Sequence, residues 1–231
     1  MTPEDESKDE FLKPSTHLET TYDVASAVSS IVPWLGGPVS SVLSGMSMSL
    51  KMERIGQVLA DVDSRVRDLE SQMSKDYVET DEFQELLERA LKQVAFERSD
   101  EKRKVYAAFL ASDIESPGDP YDEKIRILRT LEELQADHIR MLKVMMQEPN
   151  DISGGIGSIG RTLQRRLSGM NSDRIADLFS QLSDMKLVQA AGINIMITPR
   201  SAEQLYNYIT PYGKRFTTYI AEAAETDQSA A

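Results

Sequence analysis

Cysteine is absent from the chain's 231 residues, so it can form no disulfide, hold no metal through a thiolate and use no thiol nucleophile. A reducing compartment is thereby permitted. Histidine is nearly absent: His17 and His138 stand alone, with no second histidine at ligand spacing, and a zinc site built on paired imidazoles is excluded. Aromatic residues make up 6% and include one tryptophan. No uninterrupted apolar run approaches the roughly 20 residues that a membrane-spanning helix needs. The first stretch, Met1 to Lys13, reads MTPEDESKDEFLK and lacks the basic character of a secretory or transit peptide. It reads as the start of a disordered acidic tail over 1–17, and the expected location is cytoplasmic.

Positive charge is also scarce. With 26 Lys and Arg against 38 Asp and Glu the net charge is −12, which opposes generic attraction to nucleic acid or anionic lipid. The imbalance is uneven. Residues 1–150 hold 18 basic and 30 acidic side chains, a balance of −12; residues 151–216 hold 8 and 5, a balance of +3; residues 217–231 hold none and 3, a balance of −3. The last ten residues, 222–231, read as a flexible acidic tail.

What is present suits a folded, mainly helical protein: 40% hydrophobic and 28% charged residues offer enough apolar surface to offset the entropy of ordering the chain. The periodicity predicts an N-terminal helical bundle over 18–134. Leu18, Tyr22, Ala25, Val28 and Val32 form a first stripe that stops at Pro33 in PWLGGP. From Met48 the apolar positions alternate by four and three through Met52, Ile55, Leu59, Val62, Val66, Leu69 and Met73, a heptad helix over 48–74. That seam suits dimerisation through Met52, Ile55, Leu59, Val62, Val66 and Leu69, with Arg65 and Glu70 meeting across it. The same spacing also suits the inside of the chain's own bundle. Thr80 and Ser99, each followed by two acids, mark two further helix starts; SPGDP at 116–120 ends one helix, and Ile125, Leu128, Leu131 and Leu134 line the next.

The character changes over 135–221. Helices are expected at 138–146, in GSIGRTLQRRL and over 172–186, followed by a β-rich stretch containing INIMIT, 193–198. Three helices and then a hairpin is the order of a winged helix, so a C-terminal winged-helix-like α+β domain is expected. The phrases LSDMKLV and ITPYGKRFTTYI resemble the recognition-helix exit and the closing helix of bacterial winged-helix proteins. Taken with the Pro-Gly-Gly break, the acidic amphipathic helices and LEELQADHIRMLKVM, the layout resembles bacterial phage-defence proteins of the abortive-infection alpha kind. The resemblance implies a setting, bacterial phage conflict, and carries over no functional residues.

Several motifs invite chemistry and are better read otherwise. Gly155, Gly157 and Gly160 spell G-x-G-x-x-G, yet no strand precedes them and the acid at the right distance, Asp177, lies inside a helix. They read as a linker entering a helix. Asp119, Asp122 and Glu123 could draw a divalent ion, but acids at a helix start complement its dipole. No Ser-His-Asp set, Walker loop or kinase lysine can be assembled. Catalytic residues, metal and cofactor are therefore none, and a non-catalytic protein-interaction or regulatory role is expected, exercised through a homo-oligomer or another protein.

Two alternatives remain open. A DNA-binding regulator would use Arg161, Arg165, Arg166, Lys214 and Arg215, although the helix expected to enter the groove is itself net acidic. A membrane-perturbing effector would use the neutral hairpin 24–50, which has no charge in 27 positions, with Trp34 and Leu35 at the lipid interface. Its eight serines, three glycines and two prolines suit close packing in a bundle or a subunit interface at least as well.

Overall fold

Thr80 and Ser99 begin helices, as their contexts require. In the computed structural model, which describes residues 49–67, 75–150 and 157–229, the Thr80 hydroxyl accepts the Phe83 N–H at 3.3 Å and the Ser99 hydroxyl that of Lys102 at 3.2 Å. Each satisfies a donor that the helix cannot pair internally. The elements in order are α1 (Ser49–Arg67), α2 (Lys75–Val78), α3 (Asp81–Phe96), α4 (Asp100–Glu115), α5 (Tyr121–Glu133), α6 (Ala136–Met146), α7 (Ile159–Arg166), α8 (Ser172–Asp184), α9 (Pro199–Glu203), a 3-10 turn (Leu205–Tyr208) and α10 (Pro211–Ser229).

Helix α4 is the hub. Its run Val105 to Ala111 is buried throughout, where an amphipathic helix would bury one stripe. Four helices, α1, α3, α6 and α10, pack around it, and Ala107, Ala108 and Ala111 let them come close. Helix α10 returns from the C-terminal half to lie on it, with the Phe109 and Tyr219 rings edge to face at 5.6 Å. One apolar core therefore runs from Met52 to Ala223, and the boundary expected near residue 134 falls within it. The acidic tail expected over 222–231 is helical as far as Ser229, and Ala223 is buried.

The winged-helix expectation is overturned. The chain is mainly helical, and the described residues contain no β-strand. Only two isolated antiparallel bridges occur, Gly157 with Ile197 and Val188 with Ile209. A wing needs two runs paired over several residues, and the sequence interrupts both. Thr198 caps α9 and Pro199 opens it, which ends INIMIT as an extended segment. The 3-10 turn at Leu205–Tyr208 then limits the return to one bridge, where Gln189 N–H donates to Tyr208 O at 2.8 Å and Thr210 N–H to Leu187 O at 3.0 Å.

The TPYGKRF phrase has its own physical account. Thr210 Oγ1 accepts the Gly213 N–H at 2.9 Å, as a helix cap does, and Pro211 occupies the first turn, where its missing N–H costs nothing. A Cβ at Gly213 would lie 2.0 Å from the Leu187 carbonyl oxygen, so only glycine lets α10 meet the chain leaving α8.

Candidate functional site

The seam side chains Met52, Ile55, Leu59, Val62 and Val66 are all 3% exposed or less within the single chain. They face α4 and α3, and Leu69 lies outside the described residues. The heptad spacing is thus used inside the bundle, which leaves these five no surface to offer a second copy.

The basic residues singled out for DNA sit on two helices, Arg161, Arg165 and Arg166 on α7 and Lys214 and Arg215 on α10. Arg165 and Arg166 both grip the buried carboxylate of Glu203; Arg166 does so at 3.0 Å and the Thr162 hydroxyl donates to the same carboxylate at 3.0 Å. Arg166 also reaches the carbonyls of Val144 and Glu148 at 3.4 and 3.0 Å, closing the C-terminal end of α6, and only 6% of its side chain is exposed. Burial alone would raise the Glu203 carboxyl, but its bonds from Arg165, Arg166 and Thr162 hold it below the usual carboxylate range. Arg215 pairs with Asp119, and Lys214 Nζ lies 4.4 Å from the centre of the Tyr206 ring. Arg161 is exposed. Arg165, Arg166, Lys214 and Arg215 are thus each engaged by another side chain of the same chain. The sequence held one signal for Glu203, the only acid between Asp184 and Glu222.

A second charged cluster was not anticipated. Lys124, 2% exposed, donates to Tyr77 Oη at 2.7 Å and Pro117 O at 3.0 Å and lies 3.1 Å from Asp113 Oδ1 and 3.3 Å from Glu82 Oε1. The Tyr77 hydroxyl in turn donates to Asp113 Oδ2 at 2.7 Å. Burial pushes both the Tyr77 hydroxyl and the Asp113 carboxyl upward, Asp113 adding to the effect on Tyr77 while Tyr77 and Lys124 hold Asp113 back. Lys124, Tyr77 and Asp113 each answer the other two, which is the form of a structural ion cluster. The legible signal was Lys124 itself, four residues before Leu128 and seven before Leu131 on the buried stripe of α5.

Among the exposed large apolar side chains, which include Leu50 and Phe96 on α1 and α3, two adjacent ones share the loop before α9. Ile195 and Met196 are 48% and 74% exposed. The loop carrying them is pinned on both sides: Gly160 N–H donates to Ile193 O at 2.8 Å, and Gly157 and Ile197 exchange bonds of 3.0 and 2.9 Å. Beneath Met196 lies an open cleft of about 310 Å³ lined by Gly157, Ser158, Arg161 and Asn194. Its glycines have steric reasons. A Cβ at Gly160 would meet Asn194 Oδ1 at 2.6 Å, and one at Gly157 would meet Ala202 Cβ at 2.8 Å. Gly160 therefore lets the loop lie against α7 and Gly157 lets α9 approach the start of that helix, while Gly155 lies outside the described residues.

No family model, curated protein or solved structure matches this chain. Its chemistry rests on its own geometry. Among the described residues no group of three or more metal-ligating side chains converges, and no helix is long and apolar enough to cross a membrane. The neutral hairpin 24–50, with Trp34 and Leu35, falls outside the described residues apart from Ser49 and Leu50, which open α1. What the arrangement can do is present a held apolar tip, flanked by the exposed Arg161 and Arg200, to another surface.

Proposed function

We propose that this chain is a non-catalytic interaction protein that assembles with a second copy of itself through the Ile195–Met196 loop. The observation that carries the reading is that Met196, the most exposed large apolar side chain among the described residues, sits on a loop held by three backbone hydrogen bonds. A loop already ordered loses little entropy on binding, so its apolar area converts more fully into affinity. Charge supports a copy of the same chain as the occupant. The tip belongs to the segment 151–216 with its balance of +3, while Glu79, Asp81, Glu85 and Asp122 stand exposed on the strongly acidic first 150 residues. A basic tip against an acidic bundle is a head-to-tail contact, which closes into a ring or propagates.

Sedimentation at low salt tests this. The wild-type chain should run heavier than a monomer and lighten as salt rises, and the double variant Ile195→Asp, Met196→Asp should run as a folded monomer, since both positions face water. A wild-type chain that stays monomeric at high concentration and low salt, or a variant of unchanged mass, overturns the reading. The setting we propose, from the resemblance to abortive-infection proteins, is bacterial phage conflict. Phage plating on cells carrying the wild-type chain or the tip variant gives the cellular readout, and equal plating on cells with and without the wild-type chain would remove that setting.

A further inference from the structure

His138 has no exposed surface and belongs to neither charged cluster. It occupies the first turn of α6, just past the bend at Leu134 and Gln135 that separates α6 from α5. Its Nδ1 lies 2.9 Å from the backbone nitrogen of Gln135, whose N–H donates to it. A backbone amide can only donate, so Nδ1 carries no hydrogen and the neutral ring is protonated at Nε2. That second nitrogen is buried, and the polar group beside it is the Gln181 side chain of α8.

The charges acting on the ring come from three helices: Asp137 from α6 itself, Arg174 from α8 and Lys102 from α4. Arg174 bridges back to the same bend, at 2.9 Å from both Asp137 Oδ2 and Gln135 Oε1. Lys102 is held by Glu97 and by the Glu132 carbonyl, each at 3.1 Å. Helices α7 and α10 and the 3-10 turn also pack on α6, and of the helices' cations Arg165 and Arg166 are engaged with Glu203, Arg215 with Asp119 and Lys214 with the Tyr206 ring.

We propose that His138 is an acid-sensitive latch, in which protonation of the imidazole breaks the first turn of α6 and releases α8 from it. The only vacant nitrogen is Nδ1, so an added proton would point directly at the Gln135 N–H and cancel that bond. It would also create a buried cation between Arg174 and Lys102, with one carboxylate, Asp137, already engaged by Arg174. The ring relieves both conflicts by leaving, and the Gln135–Arg174 bridge that ties α8 to the bend goes with it. Burial, reinforced by Arg174 and Lys102, outweighs the opposing pull of Gln181 and Asp137 and holds the closed-state imidazole below its ordinary 6.5. The opened state therefore binds a proton that the closed state refuses. The closed state is fully favoured above about pH 6.5 and loses ground as pH falls toward the lowered value. Asp113 and Glu115, raised by burial, act in the opposite sense, taking up protons in the folded state and stabilising it on acidification.

Hydrogen exchange on the tag-free full chain, corrected for intrinsic rates, reads this directly. From about pH 7.5 to about 5.5, protection in the first turn of α6 and along α8 should fall by about fivefold or more. His138→Asn keeps an acceptor oxygen where Nδ1 stood and cannot take the proton, so it should flatten that dependence, whereas His17→Asn should leave it unchanged. Protection that stays level in the wild type, or the same slope in His138→Asn, overturns the latch. Should His138→Asn fold poorly, ring-nitrogen NMR of the wild type decides. An Nε2–H tautomer that titrates below 6.5 in step with loss of α8 protection supports the latch; a ring that titrates at or above 6.5 with α8 intact overturns it.

Discussion

Glu203 is bonded by two guanidinium groups and a threonine hydroxyl, and its side chain is 3% exposed. A carboxylate so placed is stable only because its partners replace the water it has lost. Replacing it with Gln keeps the shape and removes the charge, leaving Arg166 buried without a counter-ion. The expected cost is about 3–5 kcal/mol of folding stability, read as an earlier urea midpoint with unchanged slope. Its pH signature has a definite sign. Because the folded carboxyl titrates below its ordinary 4.5, its contribution is present above that value and is lost as pH falls through the lowered one. Glu203→Gln should therefore flatten the wild type's acid unfolding below about pH 4.5. At this scale the sequence exposed the cluster Arg161, Arg165 and Arg166 but not its direction. The partner stands 38 residues from Arg165, and pairing over that distance is decided by packing that no local pattern records.

Among the elements, α3, α5, α6 and α8 were legible because each carries an apolar stripe, α4 because a capped start precedes a continuous apolar run, and α3 and α8 also begin on a side-chain cap. INIMIT was misread for a physical reason. A short apolar run suits a strand, a buried turn or an exposed loop equally, and its partner segment decides among them. Here the partner segment turned into α9 and a 3-10 turn. The ion cluster around Lys124 joins four elements, with Tyr77 on α2, Glu82 on α3, Asp113 on α4 and Lys124 on α5. Lys124→Met should cost about 3–5 kcal/mol, since it strands Asp113 in the core. Adding Asp113→Asn removes that charge while keeping an acceptor for Tyr77, so the double variant should recover to within about 1–2 kcal/mol of the wild type. Denaturant unfolding of the three variants closes the cycle, and costs that simply add would show that the two groups do not act as a pair.

Across the whole molecule, the decisive question raised by the sequence is which partner the seam of α1 faces. A heptad stripe encodes that a helix is covered along one side; it does not encode whether the cover is another chain or the same one, since knobs pack into holes alike in both. In this molecule α4 and α3 supply the cover and the seam lies within the core that also holds Phe109, Tyr219 and Phe216. The two arrangements respond differently to one substitution. At an intermolecular seam, Leu59→Asp would split a complex into monomers that keep their helices. Inside the bundle it places an unpaired carboxylate at a position with no exposed surface, at a cost beyond about 4 kcal/mol out of a total of about 5–15. The expected result is loss of the cooperative thermal transition and of most helical circular dichroism at 37 °C. A Leu59→Asp chain that sediments as a monomer with its native helical signal would show that α1 faces outward. The Ile195→Asp, Met196→Asp variant should behave in the opposite way, keeping its transition while losing the proposed assembly, because both side chains are exposed and lie outside the core.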